Sequence, residues 1–123
     1  MGLSFPGTGA QFTKLWTNTK PDEFFGKQDI LLDLSIYDAV YISIRSGNST
    51  LVMVGGNTCD VTMNAWANGP LGAAFSIHVR TFTVKTDRVS VSDTAFVDGD
   101  SSGAATNNGW SVPVAIYGVN FGG

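Results

Sequence analysis

The chain has one histidine, His78, and one cysteine, Cys59. A Ser-His-Asp arrangement or a zinc site needs partners for these residues. His78 has no second histidine to share a metal and no Gly-x-Ser-x-Gly turn to serve. Its neighbours Ile77 and Val79 carry the apolar parity of the local run, so His78 is expected on the side of its strand facing away from the core. Cys59 shares parity with Val61, Met63 and Ala65, which reads as a small inward-facing core residue with no cationic residue beside it in the sequence to make the thiol reactive. A lone cysteine also excludes an intrachain disulfide.

The carboxylates Asp93, Asp98 and Asp100 lie close together. As a hydrolytic pair, two of them would need one acid buried, its pKa raised, beside a cleft. All three instead fall in or beside turn-forming segments. Asp98-Gly99-Asp100-Ser101-Ser102-Gly103 reproduces the first half of a calcium loop, with oxygen ligands at alternate positions and glycine at the sixth. The twelfth position is Gly109, where a bidentate glutamate belongs, so an Asx-rich turn is the expected structure and no metal or other cofactor is implied. The remaining candidates are aromatic residues next to amides. Trp66 with Asn68, and Trp110 with Asn107 and Asn108, bring a stacking plane and hydrogen-bonding groups to loop edges, the composition of a glycan platform. Together with Asp98 and Asp100 they form the candidate binding surface, and the same tryptophans can equally cap a core or fill a subunit contact.

These groups are carried on strands. Val40, Ile42 and Ile44 alternate with Tyr41, Ser43 and Arg45, and Val89 and Val91 alternate with Arg88, Ser90 and Ser92. This is the period of a strand with one buried face. The returning run Val112, Val114, Ile116 has the same period. Ser46-Gly47-Asn48-Ser49 predicts a hairpin into Thr50–Val54, and Gly55-Gly56-Asn57 a second turn. Trp66–Leu71, WANGPL, reads as a loop. From Gly72 to Lys85 the apolar parity changes from Phe75, Ile77 and Val79 to Phe82 and Val84, which predicts a bulge or sheet-switching bend near Arg80-Thr81, the alternative being a strand buried on both faces, one by the core and one by a subunit partner. No segment has helical period. The expected fold is all-β, an antiparallel sandwich of jelly-roll type with about eight strands and no substantial helix. It occupies residues 11–123 as one domain behind a glycine-rich arm at residues 1–10.

Charged residues make up only 14% of the chain and the net charge is −3, against an ordinary charged share of about a quarter. Three scattered arginines give no positive face for phosphates, so nucleic acid is not an expected partner. No run of apolar residues is long enough to insert in a membrane, and the N-terminal residues lack a signal-peptide core. A neutral surface of this kind suits self-association.

The C-terminal third, from Arg88-Val89 and Val91 through Asp98-Gly99 and Asn108 to Val112-Pro113 and Ile116-Tyr117-Gly118-Val119, resembles the ends of tailed-bacteriophage structural proteins, chiefly fibre, spike and baseplate-type domains. The run from Leu15 to Ile42 resembles the start of such domains. The resemblance implies a non-enzymatic virion protein made in the host cytoplasm and attached to a tail or capsid. It also implies a homo-oligomer, a trimer as in the fibre domains, whose partners are other virion proteins or a host-surface glycan. Phe24 and Phe25 would then close one end of the core.

Overall fold

The computed structural model describes residues 2–4, 10–45, 49–69, 72–98, 104–106 and 108–121, with side chains described for all but 2–4, 62–69, 72–77, 96–98 and 104–106. Its strands are β1 (Gly2–Ser4), β2 (Gln11–Thr17), β3 (Gln28–Leu31), β4 (Ala39–Ile44), β5 (Thr50–Met53), β6 (Asn57–Gly69), β7 (Gly72–Val84), β8 (Arg88–Val91), β9 (Ala95–Asp98), β10 (Ala104–Thr106) and β11 (Pro113–Asn120). They form two antiparallel sheets, and there is no helix among the described residues. The first sheet has the order β1-β2-β11-β4-β5. In the second, β7 carries β6 along one side, while β9 and β8 follow one another along the other side and are flanked by β10 and β3. The expected all-β sandwich is what forms. Its outer wrap, β2 with β11 and β3 with β8, follows the jelly-roll scheme, whereas β4 with β5 and β6 with β7 pair as hairpins.

Alternation builds the core. Val40, Ile42 and Ile44 of β4, Val52 of β5 and Ile116 of β11 face Ile30, Val61, Phe82, Val84, Val89 and Val91 of the second sheet in one buried cluster. Each such side chain gains roughly 1.5–3 kcal/mol from leaving water, which is why strand register is set by this face. Gly118 lies on the same inner face, and a methyl group there would stand 2.6 Å from the Tyr37 ring. Glycine is therefore required where Tyr37 fills the interior.

Several expectations are corrected. Gly2–Ser4, read as part of an arm, lies as an edge strand on β2, and residues 5–9 lie outside the described residues. Trp66–Gly69 is not loop but the end of β6, which holds one unbroken register against β7 from Asn57↔Val84 to Gly69↔Gly72. β7 therefore has no bulge at Arg80-Thr81. The irregularity sits in its other neighbour, where the register moves by one residue between Phe82↔Val91 and Val79↔Ala95. The inward parity of β7 is consequently constant, and His78, Arg80, Phe82 and Val84 are all buried. His78 faces the interior, opposite to its expected side. Of the two phenylalanines, Phe25 is buried and Phe24 is 78% exposed.

Candidate functional site

Two places in the described structure gather side chains beyond what the core requires. One is the end of the sandwich where the segments around Phe25, Ser92–Thr94 and Asn108–Ser111 meet. Its centre is Arg80, fully buried. A buried guanidinium must find acceptors for its donors, and here all of them are backbone carbonyls. Nη1 donates to Phe25 O and Ser92 O, both at 2.7 Å. Nη2 donates to Trp110 O at 3.0 Å and Asn108 O at 3.2 Å, and Nε reaches Trp110 O at 3.3 Å. Burial pulls the Arg80 pKa down to about 10, with the Asp93 carboxylate opposing that shift. The group thus stays charged at neutral pH. Arg45 makes a second grip on the same end: Nη1 donates to Pro21 O at 3.0 Å and Nη2 to Gly109 O.

The loop held this way contains the predicted Asn108 and Trp110. Asn108 Nδ2 donates to Asp93 Oδ1 at 3.0 Å, and its Oδ1 accepts from Thr94 N at 2.8 Å, so both ends of the amide are engaged inside the protein. Trp110 lies flat on His78, ring centroids 4.1 Å apart and 18° from parallel. One face of the indole is therefore occupied. Ser111 follows with φ of 51°, a left-handed conformation that directs the chain from the gripped Trp110 carbonyl into β11. Trp66 and Asn68 lie in β6 opposite Phe75 and Ala73, and Asp98 ends β9 opposite Ser76; their side chains, with Asp100, Asn107 and the calcium-like loop, lie outside those described. Asn108 and Trp110 share the loop gripped by Arg80, whereas Trp66 and Asn68 lie in a strand and not in a loop.

The acids with displaced pKa values move the wrong way for acid catalysis. Asp33 is held below its ordinary value by hydrogen bonds from Ser35, Asp29 chiefly by Ser90 and then Arg88, and Asp87 by Arg88. Asp33 and Asp87 border a shallow open groove with Leu31 and Leu32, yet a proton donor there would need its pKa raised. Among the described residues no group of three or more His, Cys, Asp or Glu is placed to hold a metal ion.

The second place is the outer face of the first sheet, which sequence reasoning missed. Cross-strand partners share a face. The registers Phe12↔Val119, Lys14↔Tyr117, Tyr41↔Tyr117, Ala39↔Val119, Tyr41↔Leu51 and Ala39↔Met53 therefore put Phe12, Lys14, Ala39, Tyr41, Leu51, Met53, Tyr117 and Val119 together. Phe12 meets Tyr41 edge-on at 5.8 Å, and Tyr41 lies 6.2 Å from Tyr117. Lys14 Nζ, the one formal charge among these eight, sits 5.9 Å from the Tyr117 ring centre. Leu51 and Met53 are 48% and 50% exposed. An outward sandwich face is ordinarily polar, and this one is aromatic and aliphatic. The period-two pattern of β4 contained half the signal, with Tyr41 outward; the rest needed the registers.

Comparison with protein-family models, with curated proteins and with solved structures found no match to this chain.

Proposed function

We propose that the chain is a non-enzymatic structural module of a phage virion that self-associates through the outer face of its first sheet and presents the loop end of the sandwich to other virion proteins or to a host surface. The observation that carries the association is the apolar face built from Phe12, Tyr41, Leu51, Met53 and Tyr117. Water would otherwise cover it, and contiguous apolar patches on soluble chains mark contact surfaces. Low charge, 14% of residues, supports the same reading, because sister copies with the same net charge approach without strong repulsion. The likeness of Arg88–Val91 and Val112–Val119 to phage structural domains supports the virion setting. The arginine-held loop end supports a binding rather than a catalytic role: its charges are spent on backbone carbonyls, and the acids displaced from their ordinary pKa are pushed toward permanent ionisation.

The test is the mass of the purified chain at micromolar concentration, by light scattering in line with size exclusion. A mass of two or more chains is expected. A strict monomer contradicts the proposal. Copurification from infected cells with virions, rather than with the soluble fraction, tests the setting separately.

A further inference from the structure

β6 is a 13-residue strand that pairs on one side only among the described residues. At its start it turns the corner from β5, where Asn57 Nδ2 donates to Met53 O and Thr50 Oγ1 lies 3.1 Å from Cys59 Sγ. Beyond that corner its second edge presents a row of backbone N–H and C=O groups. The end of the hairpin is barer still. β9 accompanies β7 only from Ser76 to Val79, so the pairs Trp66↔Phe75, Ala67↔Ala74, Asn68↔Ala73 and Gly69↔Gly72 form a two-stranded ribbon with no described neighbour. A ribbon of two strands is marginal in water and gains stability from a third.

Exposed edges are normally defended by lysine, inward charge, proline or brevity. The other edge strands use brevity: β1, β3, β5 and β10 have three or four residues each. β6 has none of these defences beyond Asp60. From Val61 to Val79 there is no Asp, Glu, Lys or Arg, and β6 contains no proline. What completes such an edge is another strand, since only a strand supplies alternating donors and acceptors along its whole length. Among the described strands with a free edge, only β6 itself is long enough.

We propose that β6 pairs antiparallel with β6 of a second copy, about a two-fold axis at Asn64, joining the second sheets of two molecules into one continuous sheet. A two-fold antiparallel pair requires a residue opposite itself, and Asn64 centres the stretch left free beyond the corner. In this register Asp60 stands opposite Asn68 of the second copy, and Thr62 opposite its Trp66. The two Asp60 positions are eight residues apart along the strand, roughly 26 Å, well beyond the distance at which surface charges interact in physiological salt. The contact rests on the self-association proposed above but not on the face proposed for it, and it makes an even number of chains the unit of assembly.

The experiment places a single cysteine along β6 in the Cys59→Ser background, at Thr58, Thr62, Asn64 and Trp66 in turn, and follows oxidation on non-reducing gels beside light scattering. Residues directly opposite across a ladder come within disulfide reach. Asn64→Cys is expected to form a disulfide dimer at least about tenfold faster than Thr58→Cys, whose counterpart lies some twelve residues away. Circular dichroism matching the parent confirms that each variant folds. An oligomeric chain in which no β6 cysteine outpaces Thr58→Cys, or a strict trimer, overturns this pairing and leaves the association itself standing. A strict monomer overturns both.

Discussion

Replacing Arg80 with methionine tests whether the loop end is held by the buried guanidinium. Methionine keeps the unbranched stem and removes five hydrogen bonds to the carbonyls of Phe25, Ser92, Asn108 and Trp110. Where a buried charge faces a carboxylate, an apolar substitute for the whole pair can be neutral. Here the acceptors are main chain and cannot be removed. Asn108 O still accepts from Phe25 N and Trp110 O from Thr94 Oγ1, but Phe25 O and Ser92 O lose the donor that Arg80 supplies, each worth about 1–3 kcal/mol if it stays dry. Loop relaxation toward water and release from the cost of burying a charge both reduce that sum. A net loss of about 3–5 kcal/mol is expected, within the range found when one partner of a buried charged contact is removed. At about 4 °C per kcal/mol for a chain of this size, the melting temperature should fall roughly 12–20 °C. Urea unfolding followed by tryptophan fluorescence gives the free energy directly, and Arg80→Lys, which keeps a charge but not the fork, should fall between the two. An Arg80→Met protein as stable as the parent would refute the reasoning, because it would mean that the carbonyls satisfy themselves without the side chain.

Gly118→Ala should destabilise by about 1–3 kcal/mol, as an overpacked core does, because its methyl group meets the Tyr37 ring. In a Tyr37→Ala background most of that loss should vanish, which a double-mutant cycle in urea would measure. Ser111→Val should cost about 1–2 kcal/mol, since a branched residue resists the left-handed conformation more than serine does, while Ser111→Gly should be tolerated; thermal melts separate the two. The folded-state pKa values of Asp29, Asp33 and Asp87 lie below the ordinary 3.8. Their contribution to stability is therefore complete above that value and lost as pH falls through the lower folded values. Melting temperature should be flat with respect to these groups from pH 7 to about 5 and decline below about 4, with the Arg88 part of the decline weakened by added salt.

Where one face of a strand meets the core and the other meets water, the sequence was enough. Val40, Ile42 and Ile44, or Val89 and Val91, are inward in the sandwich as their alternation demands. Cys59 is likewise inward and half-buried. The failures have a common origin in contacts distant along the chain. His78 and Arg80 occupy inward positions that pattern reading reserves for apolar residues, and Arg80 is made acceptable there by carbonyls 12 to 55 residues away. Their parity matches Phe82 and Val84, which was the available signal. Ala67-Asn68-Gly69 carries turn-forming residues, yet pairing with β7 extends the strand through them. Asn108 and Trp110 have the composition of a sugar platform, but Asp93, Thr94 and His78 already engage them. The apolar outer face could not be read from any single strand, because Phe12, Tyr41, Leu51 and Tyr117 come from four strands whose order in the sheet is not their order in the chain.

The claim on which the functional account turns is that the outer face of the first sheet is a contact between copies. Leu51→Lys with Met53→Lys changes two half-exposed side chains on that face and leaves the buried cluster untouched. Light scattering at matched concentration should show the parent as an assembly and the double variant reduced to no more than the pair joined through β6, with an unchanged circular dichroism spectrum. A parent that is already monomeric, or a double variant whose mass equals the parent's, would contradict the account.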